Sequence, residues 1–529
     1  MNDVNFHDYP VPWNNAPGVV VQSRQNAEDP FSIDHLHADL KGRSVRGGFL
    51  TLTSQGAQFL LQSTSTIVLA RLLNPADFGM VAMVTAITGL GQAFADLGLS
   101  EATIQRAEIS QEQVSTLFWI NVAIGFALAM ITAAMAPFFA WFYREPRLQA
   151  ITLIVSLTFV IGGLRVQHDA ILRRQMRFMS LAVRDVTAYV VAVALAITMA
   201  LRGAGYWAIV ALPLILNFTS MVLSWVMARW LPGLPHRGAK VRSLIAFGGH
   251  VAGSYLVGNI YRSADNVLIG WYWGAGPLGL YSRAYNLLML PIRQLGGPAR
   301  SVAVPAFSRV QAEPERLARY YLRTANLITW ITAPLFGFLY VAAAPVIVLV
   351  LGRRWEEAAP VFQILAIVAL GQLLLESTVW LFVSRGQSRR LLRLSLTICP
   401  LVIAGYAVGL PFGIKGVALA GSLVFLGIFP WILKYSFRGT QVTLQRVGRA
   451  ILYPVVLSLS GIGVAEVLLE TLAPNKAPEQ LFLSAVGFAL GSMLALLLAP
   501  PIREEFLSLK KLLSTSRFGV ERDLAESPS

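Results

Sequence analysis

The chain has 529 residues, 55% of them apolar and 13% charged, with 43 lysines and arginines against 28 acids and a net charge of +15. Soluble domains carry about 45–50% apolar and about 25% charged residues, so the composition excludes a water-facing surface of this size and a disordered chain. With Cys399 the one cysteine, it also excludes a disulfide scaffold. The basic excess, which in a soluble chain would point to nucleic acid, is what the cytoplasmic loops of multi-pass membrane proteins accumulate; no nucleic-acid partner is expected.

Residues 1–47 carry Pro10, Pro12, Pro17 and Pro30 and lack the basic start and continuous apolar core of a signal peptide. They read as a flexible cytoplasmic tail. From Gly48 to Pro501 the chain is a succession of apolar stretches near the length of about 20 residues that crosses a bilayer as helix. Spans are predicted over 48–70, 79–98, 115–141, 150–168, 181–201 and 206–230. A second set covers 244–273, 278–308, 322–350, 358–384, 390–412 and 414–437, and a last pair 446–470 and 479–500. The runs are continuous rather than alternating, so a barrel is excluded, and the expectation is an all-α integral membrane protein with fourteen transmembrane helices.

Counting a basic residue within four positions of a span end with the adjoining loop, 31 lysines and arginines fall in the two tails and the loops of one side, and eight on the other. Such a bias places both termini in the cytoplasm. Four arginines, Arg262, Arg283, Arg293 and Arg300, fall deeper inside spans.

Residues 63–82 and 259–282 share a layout at an offset of 200. Gly48 matches Gly248, Ser54 matches Ser254, Gly79 matches Gly279 and Leu90 matches Leu290. In both stretches a helix ends, a Gly/Pro turn follows, and the next helix opens on an apolar-Gly pair. Six spans separate the copies, so both insert in one orientation, as a parallel repeat about an axis along the membrane normal. The expected organisation is an N-lobe over 48–230 (helices 1–6), a C-lobe over 244–437 (helices 7–12), an appended pair over 446–500 and a cytoplasmic tail over 501–529.

The run "LARLLNPADFGMVAM" (69–83), followed by "DLGLSEATIQR" (96–106), resembles the first hairpin of polysaccharide and oligosaccharide flippases. "LGLYSRAYNLLMLPIRQLGGPARSVAVPAFSRVQ" (278–311) is similar to the start of their second half. These belong to the superfamily of multidrug, oligosaccharidyl-lipid and polysaccharide exporters, and the likeness, over about residues 43–440, is to the exopolysaccharide-exporter branch. It implies two six-helix bundles rocking between inward- and outward-open states around a central cavity. The implied substrates are polyprenyl-diphosphate-linked oligosaccharides, moved from the cytoplasmic to the periplasmic leaflet. Arg71 and Asp77 flank a tight turn and read as structural.

Ionisable groups within a span cost several kcal/mol and are functional candidates by default. Helix 7 carries Arg262 and Asp265; helix 8 returns with Arg283, Arg293 and Arg300. Counted back from the 274–277 turn at about 1.5 Å per residue, Asp265 and Arg283 share a depth, so an ion pair across the hairpin is one expectation. Asp265 cannot neutralise three arginines, however. The functional expectation is that Arg262, Arg283 and Arg293 form an anion-recognition surface, because a guanidinium donates two parallel bonds to phosphate. Pro291 and Gly296-Gly297-Pro298 are predicted to interrupt helix 8. Asp96, Asp265 and Glu376 are candidates for coupling to protons or sodium, Glu376 foremost.

The six histidines show no zinc-type spacing and there is no GxxxxGK[ST] loop for ATP. The expectation is a secondary-type transporter, not an enzyme, with no bound cofactor, in the bacterial inner membrane. Its partners would be the lipid-linked oligosaccharide, membrane lipids and a polysaccharide polymerase with its export machinery. Two alternatives stand beside it. One is a cation-coupled multidrug exporter of the same superfamily, which would want acids to dominate the cavity; the other is a membrane-embedded glycosyltransferase or polymerase, which would want large extramembrane loops.

Overall fold

The computed structural model describes residues 40–92, 99–106, 109–236 and 263–508; Asp96, Arg262 and His250 lie outside them. Among the described residues there is no strand, and nine helical segments are long and apolar enough to cross a membrane. Backbone groups in hydrocarbon must be satisfied within their own segment, which makes helix the form such a chain takes.

The first half consists of α1 (Leu40–Leu72), α2 (Pro75–Gln92), the short α3 (Leu99–Gln105), α4 (Gln111–Ala134), α5 (Ala136–Phe142), α6 (Arg147–Arg174), α7 (Phe178–Leu201) and α8 (Tyr206–Ala228). The second half consists of α9 (263–273), α10 (Ala275–Arg309), α11 (Pro314–Val341), α12 (Ala343–Val350), α13 (Ala359–Ser384), α14 (Ser388–Gly409) and α15 (Gly413–Ser436). Then come α16 (Leu444–Leu472), α17 (Ala477–Leu498) and α18 (500–508). Local chemistry sets several starts. Ser110 and Gln113 close a reciprocal capping box on α4, their side chains accepting from each other's backbone N–H at 3.3 and 3.2 Å, which satisfies two orphan donors.

Within the described residues, helices lie over the predicted spans; most of the predicted span 244–273 and the end of 79–98 lie outside them, and elsewhere there are differences. The spans 115–141 and 322–350 are each two helices, broken at Met135 and Ala342. Helix α1 begins at Leu40, inside the expected tail, and the chain expected as tail from 501 is helical to 508. Ile502 is buried there, Asn326 on α11 donates to Glu505, and Trp330 meets Phe506 at 5.6 Å. Arg165 and Arg184, close enough to span ends to be counted with the loop charges, are helical. With Asp169, Asp185 and Ser224 they form an ionic cluster joining α6, α7 and α8, in which Arg184 donates to both carboxylates.

In the first half α6 packs on α4 and α8, and α7 on α1 and α8. In the second, α13 packs on α10, α11 and α15, and the appended α16 and α17 pack on each other, with α16 along α11. The repeat runs through the backbone of both halves. Left-handed conformations recur at Arg144 and Gly352, Met176 and Gly386, Gly203 and Gly413, and Arg229 and Gly439.

The halves meet where α2 and α10 begin. A Cβ on Gly79 would stand 1.7 Å from the Ala275 carbonyl oxygen, and one on Gly279 would stand 1.8 Å from that of Pro75. Residue 79 touches 275 and residue 279 touches 75. That reciprocity is the signature of a two-fold relation, and only glycine admits so close a backbone approach. Both helices start from this one end, so they run the same way through the protein.

Candidate functional site: the gap between the lobes

At the end where α2 and α10 cross, further bonds close the lobes on each other. The Trp355 indole N–H donates to the Ala70 carbonyl at 2.9 Å, and its ring meets Phe78 edge-on at 5.3 Å, a geometry worth about 0.5–1.5 kcal/mol beyond area burial. Arg71 donates to the Leu349 carbonyl and Arg354 to Asn74 Oδ1 at 3.3 Å. On the symmetry-related side Phe142 stacks on Trp271 at 6.2 Å. Arg71, read from sequence as part of its own turn, thus reaches the other lobe, while Asp77 does cap the turn by accepting from the Asn74 N–H at 3.0 Å.

Away from this seal all three helices α1, α2 and α10 carry exposed polar positions or glycines. Thr85 and Gly89 on α2 are open, as are Arg293, Gln294, Gly297, Arg300 and Ser301 on α10 and Thr51, Gln55 and Gln62 on α1. Helices α1, α2 and α10 are also absent from the set apolar enough to count as spans. A helix lining a wet gap would need no apolar face toward it.

Just under the seal, the Arg283 guanidinium lies 4.2 Å from the Phe78 ring centroid, a cation–π contact across the lobes. Its buried Nε has no hydrogen-bond partner among the described residues. The expected ion pair with Asp265 does not form. Asp265 instead accepts from the Tyr281 hydroxyl at 3.0 Å and from the Asn266 N–H at 2.7 Å. The reason is helical geometry: Tyr281 and Arg283, two residues apart, point about 200° apart on α10, so depth matched and direction did not.

Arg293 is exposed and donates to Asn286 Oδ1 at 3.2 Å. It stands about 15 Å along the axis from Arg283, so the two are successive positions rather than one site. Arg262 and Asp96 lie outside the described residues. Glu376 Oε2 would stand 3.0 Å from a Cβ on Gly296, which seats the carboxyl against α10. That helix is not interrupted as predicted: it is continuous through Pro291, Pro298 and Pro305. The prolines, seven apart, leave the carbonyls of Leu287, Gln294 and Ser301 without their helical donors, and at Gln294 and Ser301 this falls on the exposed side.

Asp265 faces a second space, inside the C-lobe. This cavity of about 120 Å³ is lined by Asp265, Tyr281, Gln372, Tyr406 and Ser422 among others. The buried Ser422 hydroxyl has no hydrogen-bond partner among the described residues. Sequence reasoning missed this cavity, since Ser422 and Tyr406 carry no charge to draw attention. It also missed the polar face of α1, for which the signal was present in a run of Thr, Ser and Gln unusual for a span.

Comparison with known proteins supplies the family. A profile described as "Polysaccharide biosynthesis protein" matches residues 68–360, more than half of the chain. The chain is similar to the teichuronic acid biosynthesis protein TuaB of Bacillus subtilis, 26% identical over 345 residues, covering 63% of this chain and 71% of TuaB. It is also similar to the lipopolysaccharide biosynthesis protein WzxC of Escherichia coli, 26% identical over 310 residues, covering 57% and 62%. Among solved structures, the lipid II flippase MurJ in an inward closed conformation superposes with a TM-score of 0.66 at 13% identity over 85% of this chain and 98% of that one. An inward-facing multidrug resistance transporter of the MATE family superposes with a TM-score of 0.55 at 14% identity, covering 72% and 95%. These likenesses show a shared all-α fold. With the profile match spanning both lobes, the chain belongs to the polysaccharide biosynthesis protein family.

Proposed function

We propose that this multi-pass membrane protein flips a polyprenyl-diphosphate-linked oligosaccharide from the cytoplasmic to the periplasmic leaflet of the bacterial inner membrane, for exopolysaccharide or lipopolysaccharide assembly. The observation that carries the reading is Arg283, a guanidinium beneath the seal between two lobes, with no carboxylate bonded to it and an orphaned donor among the described residues. A cation held there is matched to a diphosphate, and a family of polysaccharide biosynthesis proteins needs such a carrier lipid moved. In this reading Arg283 and Arg293 lead the diphosphate along α10, with Arg262, outside the described residues, as the third cation. The chain threads the bilayer fourteen times with both termini cytoplasmic, the seal faces the periplasm, and the gap is open to the cytoplasm.

Coupling would reside in Asp265, whose carboxylate and the Ser422 hydroxyl offer oxygen ligands to a proton or monovalent cation within the C-lobe, with Glu376, and Asp96 outside the described residues, as further candidates. A polymerase and its export machinery would take the product. The multidrug alternative is weakened by the same cation, which would repel cationic drugs. A leaflet-resolved assay in proteoliposomes tests the proposal. Polyprenyl-diphosphate saccharide should reach the opposite leaflet faster than in protein-free vesicles, and an unchanged rate refutes it.

A further inference from the structure

Helix α1 carries Thr51, Gln55, Gln58, Gln62 and Thr66 at helical spacing, within an arc of about 80° at 100° per residue. Thr51, Gln55 and Gln62 are exposed; Gln58 is partly buried and donates to Ser54 Oγ at 3.0 Å. Round one flank stand Leu52 and Leu60, 62% and 66% exposed, an apolar side suited to lipid. On the other flank Gly47, Ser54 and Ser65 are buried, and Gly47 sits against Phe178 of α7.

The direction of the polar stripe is fixed at its upper end. Leu69 continues the same face and is buried, and the next residue, Ala70, accepts from the Trp355 indole of the inter-lobe seal. Followed down the helix from there, that heading directs the exposed Gln62 and Gln55 toward the space beneath the seal. An amide in hydrocarbon without partners costs roughly 2–7 kcal/mol, so a row of them is tenable where it meets water or a polar ligand.

The stripe is also neutral, with no charged residue between Arg46 and Arg71, whereas the facing α10 carries Arg283, Arg293 and Arg300. Amides and hydroxyls each donate and accept, as the hydroxyls of a sugar require, and offer nothing special to a diphosphate. We propose that the Thr51–Gln55–Gln62–Thr66 face of α1 is the saccharide-recognition surface, reading the sugar while α10 holds the diphosphate. This rests on the flippase reading and adds to it a division of labour between the lobes.

The test is binding of two probes to the purified full chain in detergent, followed by thermal stabilisation. One probe is bare polyprenyl diphosphate and the other the lipid-linked repeat unit extracted from cells of the producing strain that lack this protein. The wild type is expected to bind the glycosylated lipid more tightly. The pair Gln55→Leu and Gln62→Leu keeps volume and removes hydrogen bonds. It should weaken the glycosylated lipid roughly tenfold and leave the bare diphosphate unchanged, whereas Arg283→Ala weakens both alike. If the pair fails to insert, each single change should give a loss of about threefold. Equal loss for both probes, or loss for neither, overturns the saccharide surface while leaving the flippase reading standing. A wild type that binds neither probe overturns both.

Discussion

The crossing of α2 and α10 yields a quantitative expectation. In Gly79→Ala the added methyl would lie 1.7 Å from the Ala275 carbonyl oxygen, and in Gly279→Ala it would lie 1.8 Å from that of Pro75, where ordinary contact begins at 3.4 Å. The obstacle in each case is backbone, so relief requires the helices to part by about 1.7 Å. Overpacking of this kind costs about 1–3 kcal/mol, and because it is felt only when the seal is shut, it shifts the balance toward a parted seal by about 5- to 150-fold. The double variant should add little, since the first methyl has already separated the helices that the second would strike. Gly89→Ala, lower on α2 with nothing within 4 Å, is the control. The assay is labelling of Val81→Cys, a buried seal position, by a membrane-impermeant maleimide in a Cys399→Ser background. The rate should rise at least fivefold with Gly79→Ala and stay level with Gly89→Ala. An unchanged rate in a Gly79→Ala protein that inserts and melts normally would refute the closed-seal argument.

Other expectations follow from the same geometry. Trp355→Phe keeps the ring on Phe78 and removes the bond to Ala70, so the same labelling rate should rise about fivefold, the effect of a hydrogen bond worth about 1 kcal/mol. Arg283→Ala should reduce lipid translocation at least tenfold without loss of membrane insertion, and Arg283→Lys should restore it only in part, since an ammonium lacks the planar fork; full activity in Arg283→Ala counts against the diphosphate role. Asp265→Asn keeps the bond from Tyr281 and loses the charge, so translocation driven by an imposed ion gradient should fall to the gradient-free rate. At the α5–α6 turn the Arg147 guanidinium, bonding Glu145 at 2.7 and 2.9 Å, holds the Glu145 carboxyl below its ordinary range. A lowered acid stabilises the fold above its ordinary pKa, and that contribution is lost as pH falls through the lowered value. Glu145→Gln should therefore lower thermal stability slightly near neutrality, by less than about 1 kcal/mol for so exposed a pair, and have no effect in strong acid.

The helices were legible in sequence because hydrocarbon imposes one requirement on every span, and a run such as 181–201 meets it plainly, ending where α7 ends at Leu201. Direction around a helix was less legible. Asp265 and Arg283 were matched by depth, but only packing shows that Tyr281, not Arg283, turns toward Asp265. The repeat was seen at Gly79 and Gly279, where both copies need glycine for the same close approach. It was lost at Met176 and Gly386 or Arg229 and Gly439, where one copy holds its left-handed turn with a side-chain-bearing residue. Cavity-lining hydroxyls such as Ser422, and the neutral row on α1, were passed over because attention to charge finds arginines and acids and not amides.

The two faces of α10 tie these observations together. One face carries Arg283 over Phe78 of the other lobe; the other, through Tyr281, closes on Asp265 inside its own lobe. A cation or proton arriving at Asp265 competes with Tyr281 for the same oxygen, and whatever shift of Tyr281 follows is delivered to Arg283 within a single helical turn. The coupling proposed above therefore needs no long relay. It also makes a demand: Tyr281→Phe, which frees Asp265 without touching the gap, should alter the labelling rate at Val81→Cys even with no lipid present. A rate indifferent to that change would mean that the two faces act independently, and the coupling carboxylate would then have to be sought at Glu376, against Gly296 on the same helix.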